Sequence, residues 1–108
     1  MSKLLSEFSG LGSIVSSPIF QLELQFPFMI SLYDDKLVLD NISNIFIPKK
    51  IVFKKDEIEC IKQAKLIGGI QIVHKKPSIK PYVYFNPFYP DVLDELLKKL
   101  KECNYPLK

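Results

Sequence analysis

Apolar and polar residues alternate with a period of two through most of this chain, and the period lengthens to that of a helix only near its end. In "IFQLELQF" (19–26), Phe20, Leu22, Leu24 and Phe26 alternate with Gln21, Glu23 and Gln25, the pattern of a half-buried strand. Pro27 is expected to break it. "FMISLY", "DDK" and "LVLD" read as a strand, a tight turn at Asp34-Asp35 and a returning strand. "NISNIFIPKK" is an apolar stretch that Pro48 ends, and "IVFKK" is a short strand. "DEIECIKQAKL" continues extended after a turn at Asp56-Glu57, and Gly68-Gly69 make the next turn. "IQIVHK" and "YVYF" are strands joined by "KPSIKP", whose prolines bar it from a central ladder.

From Asp91 the spacing changes. Val92, Leu93, Leu96, Leu97, Leu100 and Cys103 follow the i, i+3, i+4, i+7 rule of an amphipathic helix. Pro90 suits its first turn, acidic Asp91, Asp94 and Glu95 come early, and Lys98, Lys99 and Lys101 come late, as the helix dipole favours. Asn104 and Pro106 are expected to stop it. Residues 1–18 differ from both patterns. Leu4, Phe8, Leu11 and Val15 recur at roughly helical spacing, but serines and Gly10 and Gly12 interrupt them. This stretch reads as a loosely ordered segment at the edge of a single domain spanning 19–108.

Strand after strand without intervening helices implies an antiparallel meander. The expected fold class is therefore mainly β, with about seven strands curling into a partly open barrel and one C-terminal helix capping it. Three stretches carry a family resemblance: "SLYDDKLVLD" (31–40), "FKKDEIECI" (53–61), and "GGIQIVHKKPSIKPYVYFNPF" (68–88) followed by "DVLDELLKKL". In that order they resemble the small prokaryotic PH-like and GRAM-like domains of the PH-like superfold. The resemblance implies a non-catalytic scaffold that binds lipid headgroups, peptides or other domains. Lipid-binding PH domains carry a basic motif between their first two strands. The corresponding "LQFPFMI" (24–30) has no basic residue, which argues against phosphoinositide binding.

Composition narrows the functions. The 108 residues carry 15 basic and 12 acidic groups, a net charge of +3, and every basic residue is lysine. Without arginine the chain lacks the planar fork that reads phosphate or guanine, and the charge is too mild for a dedicated nucleic-acid binder. No nucleic acid is expected as a partner. No apolar run approaches the roughly 20 residues of a membrane helix, and the N-terminus lacks a signal-peptide core. Cys60 and Cys103 lack Cys or His neighbours at metal spacing and read as free thiols in a reducing, cytoplasmic setting, with peripheral membrane contact open.

His74, the one histidine, shares a strand face with Ile70 and Ile72. Neither a nucleophile nor a ligand set accompanies it, so it reads as a half-buried strand-end residue hydrogen-bonded to backbone, and no catalytic residue, metal or cofactor is expected. Lys75, Lys76 and Lys80 form a basic hairpin tip that Lys49 and Lys50 could join as an anion or lipid contact. Near an anionic surface each lysine contributes about 1 kcal/mol, so three give less than a millimolar complex requires. Tyr82 and Tyr84 should face opposite to Val83 and Phe85, with Phe88 and Tyr89 packed beneath the helix. The expected function is a binding or interaction module for a protein segment added at a sheet edge or laid beside the helix. Weak binding to an anionic membrane surface is the alternative, and the sequence leaves oligomeric state open.

Overall fold

The structure, a computed structural model, describes residues 3–15, 26–41, 50–64, 68–77 and 79–108. Among these residues seven antiparallel strands form one sheet: β1 (Leu4–Val15), β2 (Phe26–Tyr33), β3 (Lys36–Asn41), β4 (Lys50–Lys54), β5 (Ile58–Gln63), β6 (Ile70–His74) and β7 (Tyr82–Pro87). One helix, α1 (Pro90–Glu102), follows β7. The strand order is β4-β3-β2-β1-β7-β6-β5, and the sheet curls into a half-barrel around the helix. The mainly β architecture with a single C-terminal helix is thus as the periodicities predicted.

β1 overturns the expectation of a loosely ordered segment over Leu4–Val15. It lies in the middle of the sheet, pairing with β2 through Gly12↔Phe26 and with β7 from Gly10↔Pro87 to Val15↔Tyr82. Both neighbours pair with it only around Gly10–Gly12, where the sheet turns from one half to the other. The glycines that weaken a helix are needed there. A Cβ on Gly10 would sit 2.2 Å from the Asn86 carbonyl oxygen, and one on Gly12 2.6 Å from the Phe28 ring. The inward series of β1 is Phe8, Gly10, Gly12 and Ile14. Its period of two is hard to see because two of the four have no side chain. Irregular register at Leu4/Ser6 on β1 and Ile58/Cys60 on β5 adds the local bends typical of bulges.

The strand expected over 19–26 lies outside the described residues except for Phe26, and "NISNIFIP" (41–48) does so after Asn41. Pro27 does not break a strand: it belongs to β2, opposite Leu11. It is tolerated because the β2–β3 pairs begin one residue later, at Phe28↔Asn41. The Asp34-Asp35 turn and the Gly68-Gly69 turn fall where expected, and both glycines have φ +79°, which favours glycine.

The inward residues Phe28, Ile30 and Leu32, Leu37 and Leu39, Ile51 and Phe53, Ile70 and Ile72, and Val83 and Phe85 form one core at every second position of their strands. Leu96 and Leu100 of α1, both fully buried, close it, and Val92, Leu93 and Leu97 pack half-buried against it. Tyr84 faces the other way, packs with Ala64, and its hydroxyl accepts a hydrogen bond from Gln71 Nε2 at 2.9 Å. Phe88 and Tyr89 depart from expectation: they are 52% and 72% exposed rather than packed beneath the helix. The helix begins at Pro90 with its apolar stripe two residues further on, at Val92, so the two aromatics fall before the stripe meets the core.

The helix ends in a Schellman turn. Asn104 takes φ +62°, Tyr105 N–H donates to the Leu100 carbonyl, and Asn104 N–H donates to that of Lys101. Tyr105 is buried against the core and its hydroxyl donates to the Tyr33 carbonyl at 2.7 Å. The Lys55 ammonium donates to the Cys103 carbonyl and lies 4.8 Å from the Tyr105 ring centre. Burial pushes the Tyr105 phenol far above its ordinary range, so it remains a donor.

Candidate functional site: a lysine-rimmed groove beside β5

The basic hairpin tip is built around His74. The imidazole is 4% exposed, its ring centre 4.5 Å from that of Phe53. Lys76 N–H donates to Nδ1 at 3.0 Å, and Nε2 lies 2.7 Å from the Lys80 carbonyl oxygen. A carbonyl can only accept, so Nε2 carries the proton and the ring is neutral. Both nitrogens are spent on backbone, as expected of a strand-end residue, but the ring is buried rather than half-buried. Burial lowers its pKa, while the Lys80 carbonyl and Glu57 pull the other way.

The five lysines proposed as an anion contact do not converge. Lys75 and Lys80 are exposed; Lys76 is half-buried, its ammonium 3.6 Å from Glu57. The Lys54 backbone N–H donates to Glu57 at 2.9 Å and, with Lys76, holds that carboxyl below its ordinary range. Lys50 stands beside Asp40, 4.0 Å away, about 13 Å of strand from Lys54. Lys49 lies outside the described residues. Lys54 and Lys55 line a separate open cleft of about 460 Å³ with Asp35, Lys36, Val52 and Asp56, where the aspartates offset much of the positive charge.

A second cleft, of about 390 Å³, has a different character. It runs between β5 and α1, with Ile61, Leu97 and Leu107 as an apolar floor and Lys62, Lys98, Lys101 and Lys108 around it. No acidic side chain lines it, and none of its four lysines is in a side-chain ion pair among the described residues. β5 is an end strand of the sheet, so one row of its backbone groups points away from β6 toward this groove. The floor and the rim follow from two periods meeting: Ile61 and Lys62 alternate along β5, while Leu97 and Lys101 are one turn apart on α1. The sequence marks Lys98 and Lys101 only as complements to the helix dipole. Their partnership with Lys62 requires knowing that α1 lies beside β5.

Among the described residues no three His, Cys, Asp or Glu side chains are grouped to hold a metal ion, and no helix is long and apolar enough to cross a membrane. Cys60 is buried and Cys103 half-buried, and both are free thiols. No protein-family model matches the chain, and no curated protein matches it. Among solved structures, the fold is similar to the C-terminal domain of an unknown protein from Leishmania infantum. The TM-score is 0.66 at 12% identity, over 94% of this chain and 84% of that one. At that identity the likeness concerns the fold alone.

Proposed function

We propose that the chain is a non-catalytic binding module of the PH-like kind, whose ligand is an extended, acidic protein segment laid along β5 beside α1. The observation that carries this reading is the groove itself: Ile61 and Leu97 in an apolar floor, Lys62, Lys98 and Lys101 at the rim, no acidic side chain in the lining, and a sheet edge alongside. A segment alternating apolar and acidic residues suits it. Backbone bonds to the strand edge supply affinity, one face of side chains meets Leu97 and Ile61, and carboxylates meet the lysines. The strand order, with its helix after β7, supports the PH-like assignment. The alternative, an anionic lipid surface met by Lys75, Lys76, Lys80, Lys49 and Lys50, is less well supported. Lys76 faces Glu57, and Lys50 faces Asp40.

A fluorescein-labelled peptide alternating leucine and glutamate, followed by anisotropy, tests the reading. Saturable binding is expected, weakened about tenfold by the double variant Lys62→Glu, Lys98→Glu, a change of about 1.4 kcal/mol. Changing Lys75 and Lys80 to glutamate should leave it unaltered. Equal binding of a leucine–lysine peptide overturns the proposal, and so does headgroup-selective vesicle binding that the hairpin variant abolishes.

A further inference from the structure

The edge of β5 is not bare. Ile61 N–H donates to the Pro106 carbonyl at 2.8 Å, and Lys108 N–H donates to the Ile61 carbonyl at 2.9 Å. Leu107 thereby forms a parallel bridge with Ile61, and its side chain packs half-buried on the core. Residues 106–108 are an arm one bridge long. Behind it, Tyr105 is fixed by burial, by its bond to Tyr33 and by the helix-ending turn. Ahead of it, the parallel sense points the arm along β5 toward Lys62, Gln63 and the groove, which Leu107 and Lys108 help to line.

A strand added to β5 needs the outward groups of Ile61, because outward pairs recur at every second residue and β5 has only six residues. The arm and an added strand therefore exclude one another at Ile61. The contest is unequal. The arm contributes two backbone hydrogen bonds, each of modest net value, and one half-buried leucine. A longer segment gains bonds on both sides of Ile61 and the lysine contacts.

We infer that residues 106–108 are a built-in, displaceable occupant of the β5 edge: they cover it when the module is empty and are exchanged for the partner strand on binding. The inference rests on the proposed groove reading and adds its regulation. The arm lowers apparent affinity by the fraction of molecules in which it is docked, and blunts an edge otherwise open to aggregation.

The test compares the full chain with Leu107→Gly, which loosens the arm and keeps Lys108. The leucine–glutamate peptide should bind the variant more tightly, on the order of fivefold. Unchanged or weaker binding overturns the inference. Amide exchange without peptide decides it independently. The Ile61 amide, bonded to the arm, should exchange much faster than that of Ile72 inside the sheet. If neither protein binds the peptide, the groove reading fails. An Ile61 amide as slow as Ile72 overturns the displaceable arm whatever the peptide does.

Discussion

His74 and Lys80 are joined by a 2.7 Å contact from Nε2 to the Lys80 carbonyl oxygen, and the same ring takes the Lys76 N–H on its other nitrogen. The hairpin tip thus hangs from one neutral imidazole. Protonation at Nδ1 replaces an acceptor with a donor facing the Lys76 N–H, and places charge in a buried site. Glu57 and Lys76 are the charged groups that face the ring, with opposite effects. Because the folded pKa is lowered, the unfolded chain binds protons first as pH falls. The stabilisation is complete above the ordinary imidazole value of about 6.5 and is lost as pH drops from there through the lower folded value. Denaturant melts should show stability falling across this acid window, with His74→Gln flattening that part of the profile. An identical slope in the variant would remove His74 from the clasp.

Leu96 is fully buried among the inward residues of the half-barrel. Leu96→Ala should cost about 2–5 kcal/mol, read from urea midpoints at an unchanged m-value. Exposed Glu95 offers the control, since Glu95→Ala should stay within about 0.5 kcal/mol.

Gly10→Ala should be severe even though it adds one methyl group. The new carbon would meet the Asn86 carbonyl, so β1 and β7 must separate or the strand must bend away. The expected loss is about 3 kcal/mol or more, the upper range for overpacking. Ser9→Ala, one residue earlier and exposed, should be nearly neutral, and circular dichroism melts of the pair separate the two cases.

Asn104 ends α1 in the left-handed region. Asn104→Ala should destabilise by about 1 kcal/mol, because it keeps the Cβ and loses the short polar side chain that eases the left-handed conformation, whereas Asn104→Gly should be neutral or slightly stabilising. Thermal melts of the two variants should therefore diverge in direction.

At the hairpin tip, exposed Lys75 and Lys80 can supply only weak, screened attraction. Co-sedimentation with anionic vesicles should be slight at low salt and vanish as salt rises. Changing both to glutamate should abolish it without altering the melt. Retention at high salt would restore the membrane surface as the partner.

The elements legible in the sequence were those whose side chains write their own period. Leu37 and Leu39, Ile70 and Ile72, and Val92 through Leu100 each repeat at the spacing of the structure they adopt. β1 was not legible because glycine stands at two of its inward positions, where close approach of Phe28 and the Asn86 backbone takes the place of a side chain. The hairpin lysines were conspicuous because they are adjacent in sequence, yet the fold pairs or separates them. The groove lysines come from three distant places, and only the docking of α1 against β5 unites them. The arm was hidden for the same reason: Leu107 meets Ile61 only after Asn104 has turned the chain back.

The position of β1 also sets the order in which a ribosome can deliver this fold. β1, the earliest strand among the described residues, has as its second neighbour β7, the latest, since Gly10 pairs with Pro87 and Val15 with Tyr82. Until residues 82–87 emerge, the nascent chain can build the β1–β4 half and the β5–β6 hairpin but cannot join them, and β1 waits with one flank unpaired. Such long-range closure is slow and leaves a sticky intermediate. Expression yield should therefore respond to translation speed and chaperone supply more than the small size of the chain suggests. Deletion within Leu4–Val15 removes the strand that joins the two halves of the sheet.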